Sequence, residues 1–202
     1  MPKILLIQGP NLSYLGQRQP EIYGRTSAAE LDAILREHAR ANGYDLTIFY
    51  THSEGEAIER LYRAADEGID GLVMNPAGFI FAGYALRDCL RAVPFPYVEV
   101  HITNIDKRGF RSVLAEAAVG MVAGFGVQSY ILGLEAMLEH LKHRGRVRAT
   151  SDRPGHPADA GRGDGRPVSS AAAAKRTMAS GVARKSRRLG SEAARREAPR
   201  AG

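Results

Sequence analysis

Five short apolar runs punctuate the first 143 residues, and four of the five lead into a helical pattern. KILLIQ (3–8) comes first, then YDLTIFY (44–50), IDGLVMN (69–75), VEVHITN (98–104) and AAVGMVAG (117–124). Between and after them lie 27–43, 53–68, 81–93 and 127–143, with apolar residues at helical spacing. The order is therefore β-α-β-α-β-α-β-loop-β-α. Strands separated by helices cannot pair as hairpins. They pair in parallel and bury both faces under the crossover helices. Local signals agree with the periodicity. Ser27 with Glu30 forms a capping-box pattern at the start of 27–43, and Gly43 stops that helix. In 53–68, Ala57, Ile58, Leu61 and Ala65 form the expected buried stripe.

This pattern predicts an α/β domain over 1–143, a flavodoxin-like three-layer sandwich around a five-stranded parallel sheet. Ligands of such sheets bind outside the carboxyl ends of the strands. Those ends are Gln8–Asn11, Tyr50–His52, Asn75–Gly78 and His101–Asn104.

Charge divides the chain unevenly. Residues 1–143 hold 13 Lys/Arg and 17 Asp/Glu, a net of −4, whereas 144–202 hold 15 and 5, a net of +10. The overall +6 thus belongs to the last segment, and the pI is no argument for a nucleic-acid-binding body. Residues 144–202 are rich in Ala, Gly, Ser, Pro and Arg with few large apolar side chains. Such a composition does not offset ordering entropy, so a disordered tail is expected, suited at most to non-specific contacts with anionic partners. The single cysteine, Cys89, excludes an intrachain disulfide and reads as a small core side chain. No apolar run reaches membrane-span length and the N-terminus lacks a cleavage pattern, which agrees with a cytoplasmic location and no membrane partner.

Several chemistries lack their signatures. No GxxxxGK[ST] loop occurs, and the GFG at 124–126 does not continue into GxGxxG. HLKH (140–143) places two histidines three apart with no further ligand nearby, so no metal site is expected. His38 and His52 read as surface or loop residues.

Candidate chemistry gathers at the strand ends. Glu99 and His101 fall two apart on one strand face, where a carboxylate orients an imidazole. That spacing suits a general acid and equally a satisfied core pair. Asn75, before Pro76, suits a ligand amide or a turn cap. The loop 10–24 is long for a βα connection and carries Arg18 and Tyr23 between Gly16 and Gly24. A guanidinium beside a phenol favours the phenolate, and terminal glycines suit a lid. A surface loop with a packed tyrosine explains the same residues.

These segments together resemble one family. GPNL (9–12), LGxRxPExYG (15–24), HxEG (52–55), NP (75–76), ALRD (85–88) and VEVHxxN (98–104), all in order across residues 3–142, look like a type II 3-dehydroquinate dehydratase. The resemblance implies the fold just described, trimers assembled into dodecamers, and loss of water from 3-dehydroquinate without metal or organic cofactor. It implies Tyr23 as the base and Arg18 as its lid partner. Asn11 would hold a water on the enolate oxygen, and His101, held by Glu99, would act as the acid. Asn75 with the Ile102 and Thr103 backbone would hold the carboxylate, and Arg111 and a neighbouring subunit's Asp88 the ring hydroxyls.

Four departures stand out. Ala77-Gly78-Phe79-Ile80-Phe81 replaces the usual Gly-Ala-Tyr-Thr-His, so Phe81 takes the place of a substrate-contacting histidine. Thr103 replaces serine, Gln8 replaces asparagine, and the segment after Arg111 is shortened, leaving Arg108 as the alternative to Arg111. Two other readings follow from these changes: a paralogue acting on a related cyclic hydroxy-keto acid, and a non-catalytic binding protein.

Overall fold

A computed structural model describes the backbone of residues 1–151. Strands β1 (Lys3–Gln8), β2 (Asp45–Tyr50), β3 (Gly71–Asn75), β4 (Tyr97–His101) and β5 (Gly120–Ala123) form one sheet in the order β2-β1-β3-β4-β5. Every pairing is parallel. The helices are α1 (Pro20–Tyr23), α2 (Ala28–Asn42), α3 (Glu54–Asp66), α4 (Tyr84–Ala92) and α5 (Gln128–Ser151).

The two sheet faces sort their side chains by strand alternation. Ile4, Leu6, Val73, Val98 and Val100 pack beneath Leu31 and Leu35 of α2 and Tyr130, Leu134 and Met137 of α5. Leu5, Ile7, Leu72, Met74 and Tyr97 pack beneath Ala57 and Leu61 of α3 and Leu86 and Leu90 of α4. Burying one Leu or Ile contributes roughly 1.5–3 kcal/mol, so these two layers are the main source of stability. Helix α5 lies so close to the sheet that a Cβ at Gly133 would collide with Val100.

Expected boundaries differ from observed ones by three residues or fewer at every end except the last of α5. Ser27 caps α2 through the Glu30 N–H, the Glu30 carboxylate returns to Ser27, and Gly43 closes the helix in the left-handed region at φ 66°. The α3 stripe buries Ala57 and Leu61 with Ile58 and Ala65 packed beside them, and it adds Ala64 and, unexpectedly, Arg60. Arg60 tolerates this because its Nη2 reaches the Glu67 carboxylate at 2.9 Å. VEVHITN loses its last three residues to the turn after β4. Helix α5 continues to Ser151, eight residues beyond the expected domain end at His143, because RGRVRATS holds no proline and its one glycine, Gly145, costs only about 1 kcal/mol. The rest of the expected tail lies outside the described residues. Among the described residues no helix is long and apolar enough to cross a membrane.

Candidate active site

The chain leaves β1 toward β2 on one side and, by way of α3, reaches β3 on the other. The crevice at this reversal is where parallel sheets bind ligands. A cavity of about 240 Å³ opens there, and Asn11, Arg18, Tyr23, Asn75, His101 and Thr103 all line it. Its remaining wall includes Ile102, Phe81, Arg108 and Phe110.

The floor is made of strand ends. His101 is 4% exposed and Glu99 is fully buried. The imidazole Nε2 meets Glu99 Oε1 at 2.7 Å, and the Tyr97 hydroxyl donates to Glu99 Oε2 at 2.7 Å. Burial first, then the Glu99 charge, pushes the Tyr97 hydroxyl well above the usual phenol range, so it stays a donor. Glu99 itself does not touch the cavity. It is the orienting group behind His101, and Nδ1 is the ring nitrogen left for a ligand. Tyr97, two residues before Glu99 on the same face, was readable from the alternation alone.

Asn75 ends β3 opposite Gln8 of β1. Its Oδ1 accepts from the Ala77 N–H at 3.2 Å, and its Nδ2 donates to the Tyr130 hydroxyl at 2.8 Å. Asn11 sits in the left-handed region at φ 69°, which asparagine accepts more readily than most residues. Its N–H donates to His52 Nδ1 at 3.2 Å, and Ser13 Oγ lies 3.4 Å from His52 Nε2. His52 is therefore an anchor that ties the first loop to the end of β2, a role its sequence neighbourhood did not signal.

The opposite wall comes from loops. Gly16 (φ 85°) and Gly24 (φ 86°) both need the positive φ that glycine adopts freely. At Gly16 the two ends of the loop touch: a Cβ there would stand 2.9 Å from the Arg25 carbonyl. Between them α1 presents Tyr23. Arg18 packs over its ring at 5.8 Å, and Arg108 at 5.6 Å. Arg108 also donates from Nη1 to the Tyr23 hydroxyl and to Thr103 Oγ1, each at 3.1 Å. Its other side lies 5.0 Å from the Phe110 ring, which meets Phe81 edge to face at 5.3 Å and 86°.

Two expected contacts are not in the cavity wall. Arg111 lies outside it, and Arg108 occupies the place instead. The reason is the turn that follows Ile105. The Arg108 backbone N–H donates to the Ile105 carbonyl, the Gly109 N–H to that of Asp106 at φ 74°, and the Phe110 N–H returns to the Ile105 carbonyl. That turn folds Arg108 back over the cavity and leads Arg111 away. Asp88 is on the exposed side of α4 and does not line the cavity of its own chain. Among the described residues no group of three or more His, Cys, Asp or Glu side chains is placed to hold a metal ion.

Fold and site together define a flavodoxin-like α/β protein with a phenol and a carboxylate-held imidazole facing one cavity. The sequence profile of the family "Dehydroquinase class II" matches residues 2–138, and this chain belongs to that family. It is 44% identical over 144 residues to the 3-dehydroquinate dehydratase of Caldicellulosiruptor saccharolyticus, covering 70% of this chain and 99% of that one. It is 46% identical over 148 residues to that of Desulforudis audaxviator, covering 72% and 97%. Among solved structures, type II dehydroquinase from Butyrivibrio crossotus superposes with a TM-score of 0.66 at 31% identity, over 67% of this chain and 97% of that one. The one from Propionibacterium acnes gives 0.64 at 37% identity, over 67% and 94%.

Proposed function

We propose that this chain removes water from 3-dehydroquinate to give 3-dehydroshikimate, as a hydro-lyase. The observation that carries this reading is the placement of Tyr23 and the Glu99-held His101 around one cavity at the sheet's switch point. Elimination beside a ketone needs a base, an acid and a cradle for an enolate. Tyr23 takes the proton from the carbon next to the ketone. Arg108 and Arg18 place permanent positive charge against its ring and oxygen. The electron pair moves onto the ketone oxygen, where Asn11 holds a water. The enolate then collapses, the bond to the leaving hydroxyl breaks, and that hydroxyl takes a proton from His101 Nδ1 to depart as water. Asn75 and the Ile102 and Thr103 N–H groups hold the substrate carboxylate.

Arg108 takes the ring-hydroxyl role in preference to Arg111, since only Arg108 reaches the cavity. The acid, base and cradle are all protein groups, so the reaction as written calls for no metal or organic cofactor. Assembly into trimers and a dodecamer brings a neighbour's Asp88 to the site. Edge strand β5 supports such assembly, since Val119, Met121 and Phe125 leave an exposed apolar strip beside it. The enzyme works in the cytoplasm on a small-molecule substrate, in shikimate synthesis or quinate breakdown. Residues past the domain act as a basic appendage making non-specific anionic contacts.

The test is direct. The purified full chain, given millimolar 3-dehydroquinate, should generate the ultraviolet absorbance of the conjugated enone product. Absence of turnover by folded protein would overturn the reading. Light scattering of the same sample checks the assembly, and a monomer would remove Asp88 from the site.

A further inference from the structure

We propose that Tyr130 and Gln8 are positioning residues that set the Asn75 amide as a hydrogen-bond donor toward the substrate carboxylate. The inference rests on the function proposed above and adds two residues to that site. All three side chains are almost fully buried: Gln8 0%, Tyr130 0% and Asn75 3% exposed. Asn75 Nδ2 donates to the Tyr130 hydroxyl at 2.8 Å, and that hydroxyl donates to Gln8 Oε1 at 2.8 Å. Tyr130 lies 55 residues from Asn75 and 122 from Gln8 in sequence.

Counting donors fixes the direction of the chain. The Ala77 N–H donates to Asn75 Oδ1, so the amide nitrogen must be the atom facing Tyr130. Burial pushes the Tyr130 hydroxyl far above the ordinary phenol range, so it keeps one proton. That proton cannot go to Asn75, whose facing atom is itself a donor. It goes to Gln8 Oε1. Each group thus constrains the next. With one Nδ2 hydrogen committed to Tyr130, the second is the only donor Asn75 has left, and Asn75 lines the cavity. A donor held in that position suits an anion and repels nothing on it.

Gln8 completes the relay at a cost. Among the described residues its Nε2 is buried without a partner. Buried polar atoms are rarely left unsatisfied, so the acceptor at Oε1 is retained despite that penalty. An apolar side chain at position 8 would leave Tyr130 to find another acceptor, and Asn75 Oδ1 is one within this chain of contacts. The amide would then turn and present oxygen to the carboxylate.

The experiment compares Tyr130→Phe and Gln8→Met in the full chain. Each should raise KM for 3-dehydroquinate about tenfold, the effect of one misplaced hydrogen bond, with kcat within about twofold. In an Asn75→Ala background Tyr130→Phe should change KM no further. A fall in melting temperature with KM unchanged would make the relay purely structural and overturn the proposal. So would a loss confined to kcat, or additivity with Asn75→Ala. If the wild-type chain neither binds nor turns over 3-dehydroquinate, the functional reading fails. The relay is then judged by a neutron crystal structure of Gln8→Met, which distinguishes the Asn75 oxygen from its nitrogen. A rotated Asn75 amide sustains the relay, and an unrotated one overturns it.

Discussion

The floor and the wall of the cavity are held in different ways. On the floor, His101, Glu99 and Asn75 are each less than 5% exposed, sit at strand ends and are bonded to buried partners. On the wall, Arg18 and Arg108 are exposed and Tyr23 is half-buried, carried by a four-residue helix and a turn. Folding the sheet sets the floor, because β-strand pairing and two hydrophobic layers fix each Cα. The wall depends on cation–π packing and two hydrogen bonds to one guanidinium, contacts worth about 1 kcal/mol each at such exposure. On the mechanism proposed above, an acid fixed by the sheet thus faces a base fixed only by its loop.

Removing the base is the most severe test of this contrast. Tyr23→Phe keeps the ring packing under both arginines and removes the oxygen. Turnover should fall at least a thousandfold while the substrate Kd stays within a few-fold, measured by calorimetry; near-normal turnover would mean a different base. On the floor, Glu99→Gln has the next largest effect. Glu99 accepts from both Tyr97 and His101, whereas glutamine has one acceptor oxygen. One donor must then face an NH₂ group, and kcat should drop about a hundredfold with KM little changed. An unaffected kcat would detach Glu99 from the acid.

Gly16→Ala probes the wall without touching chemistry. The variant must hold alanine at φ 85° against the Arg25 carbonyl, which costs about 1–3 kcal/mol. The melting temperature should fall by several degrees, and kcat/KM by about tenfold, as the loop loses its set. The expected fall in melting temperature with kcat/KM intact would separate the loop from catalysis. Phe81→His is subtler. It gives up the edge-to-face pair with Phe110, worth about 0.5–1.5 kcal/mol, and regains a donor toward the substrate hydroxyls worth about 1–3 kcal/mol. KM should fall a few-fold. An unchanged or raised KM would mark the Phe81–Phe110 wall as adapted to a less polar ligand. The smallest effect belongs to truncation after Ser151, which should leave kcat and KM within twofold. A cut after His143 would instead remove the last eight residues of α5.

Much of the fold was legible locally. The capping box of α2, its glycine stop and the five apolar runs all act within a few residues, so they survive any change of tertiary context. The Glu99–His101 pair was legible for the same reason, as strand alternation places i and i+2 together. Loop residues were harder. The sequence favoured Arg111 and kept Arg108 as its alternative, because the turn that separates them depends on Gly109's positive φ and on Phe110 returning to Ile105. His52 looked ordinary until β2 was seen beside β1, with Asn11 within reach.

Element order and layer count were written in short-range pattern and spacing, whereas the acid and base roles were what the family resemblance implied. The strand order β2-β1-β3-β4-β5 decided the rest. It puts Gln8 beside Asn75 and brings Tyr130, from the far end of the domain, between them. No local rule pairs residues 55 and 122 positions apart. Only packing α5 against β3 and β4 does, because a buried hydroxyl must find its partners wherever the chain delivers it.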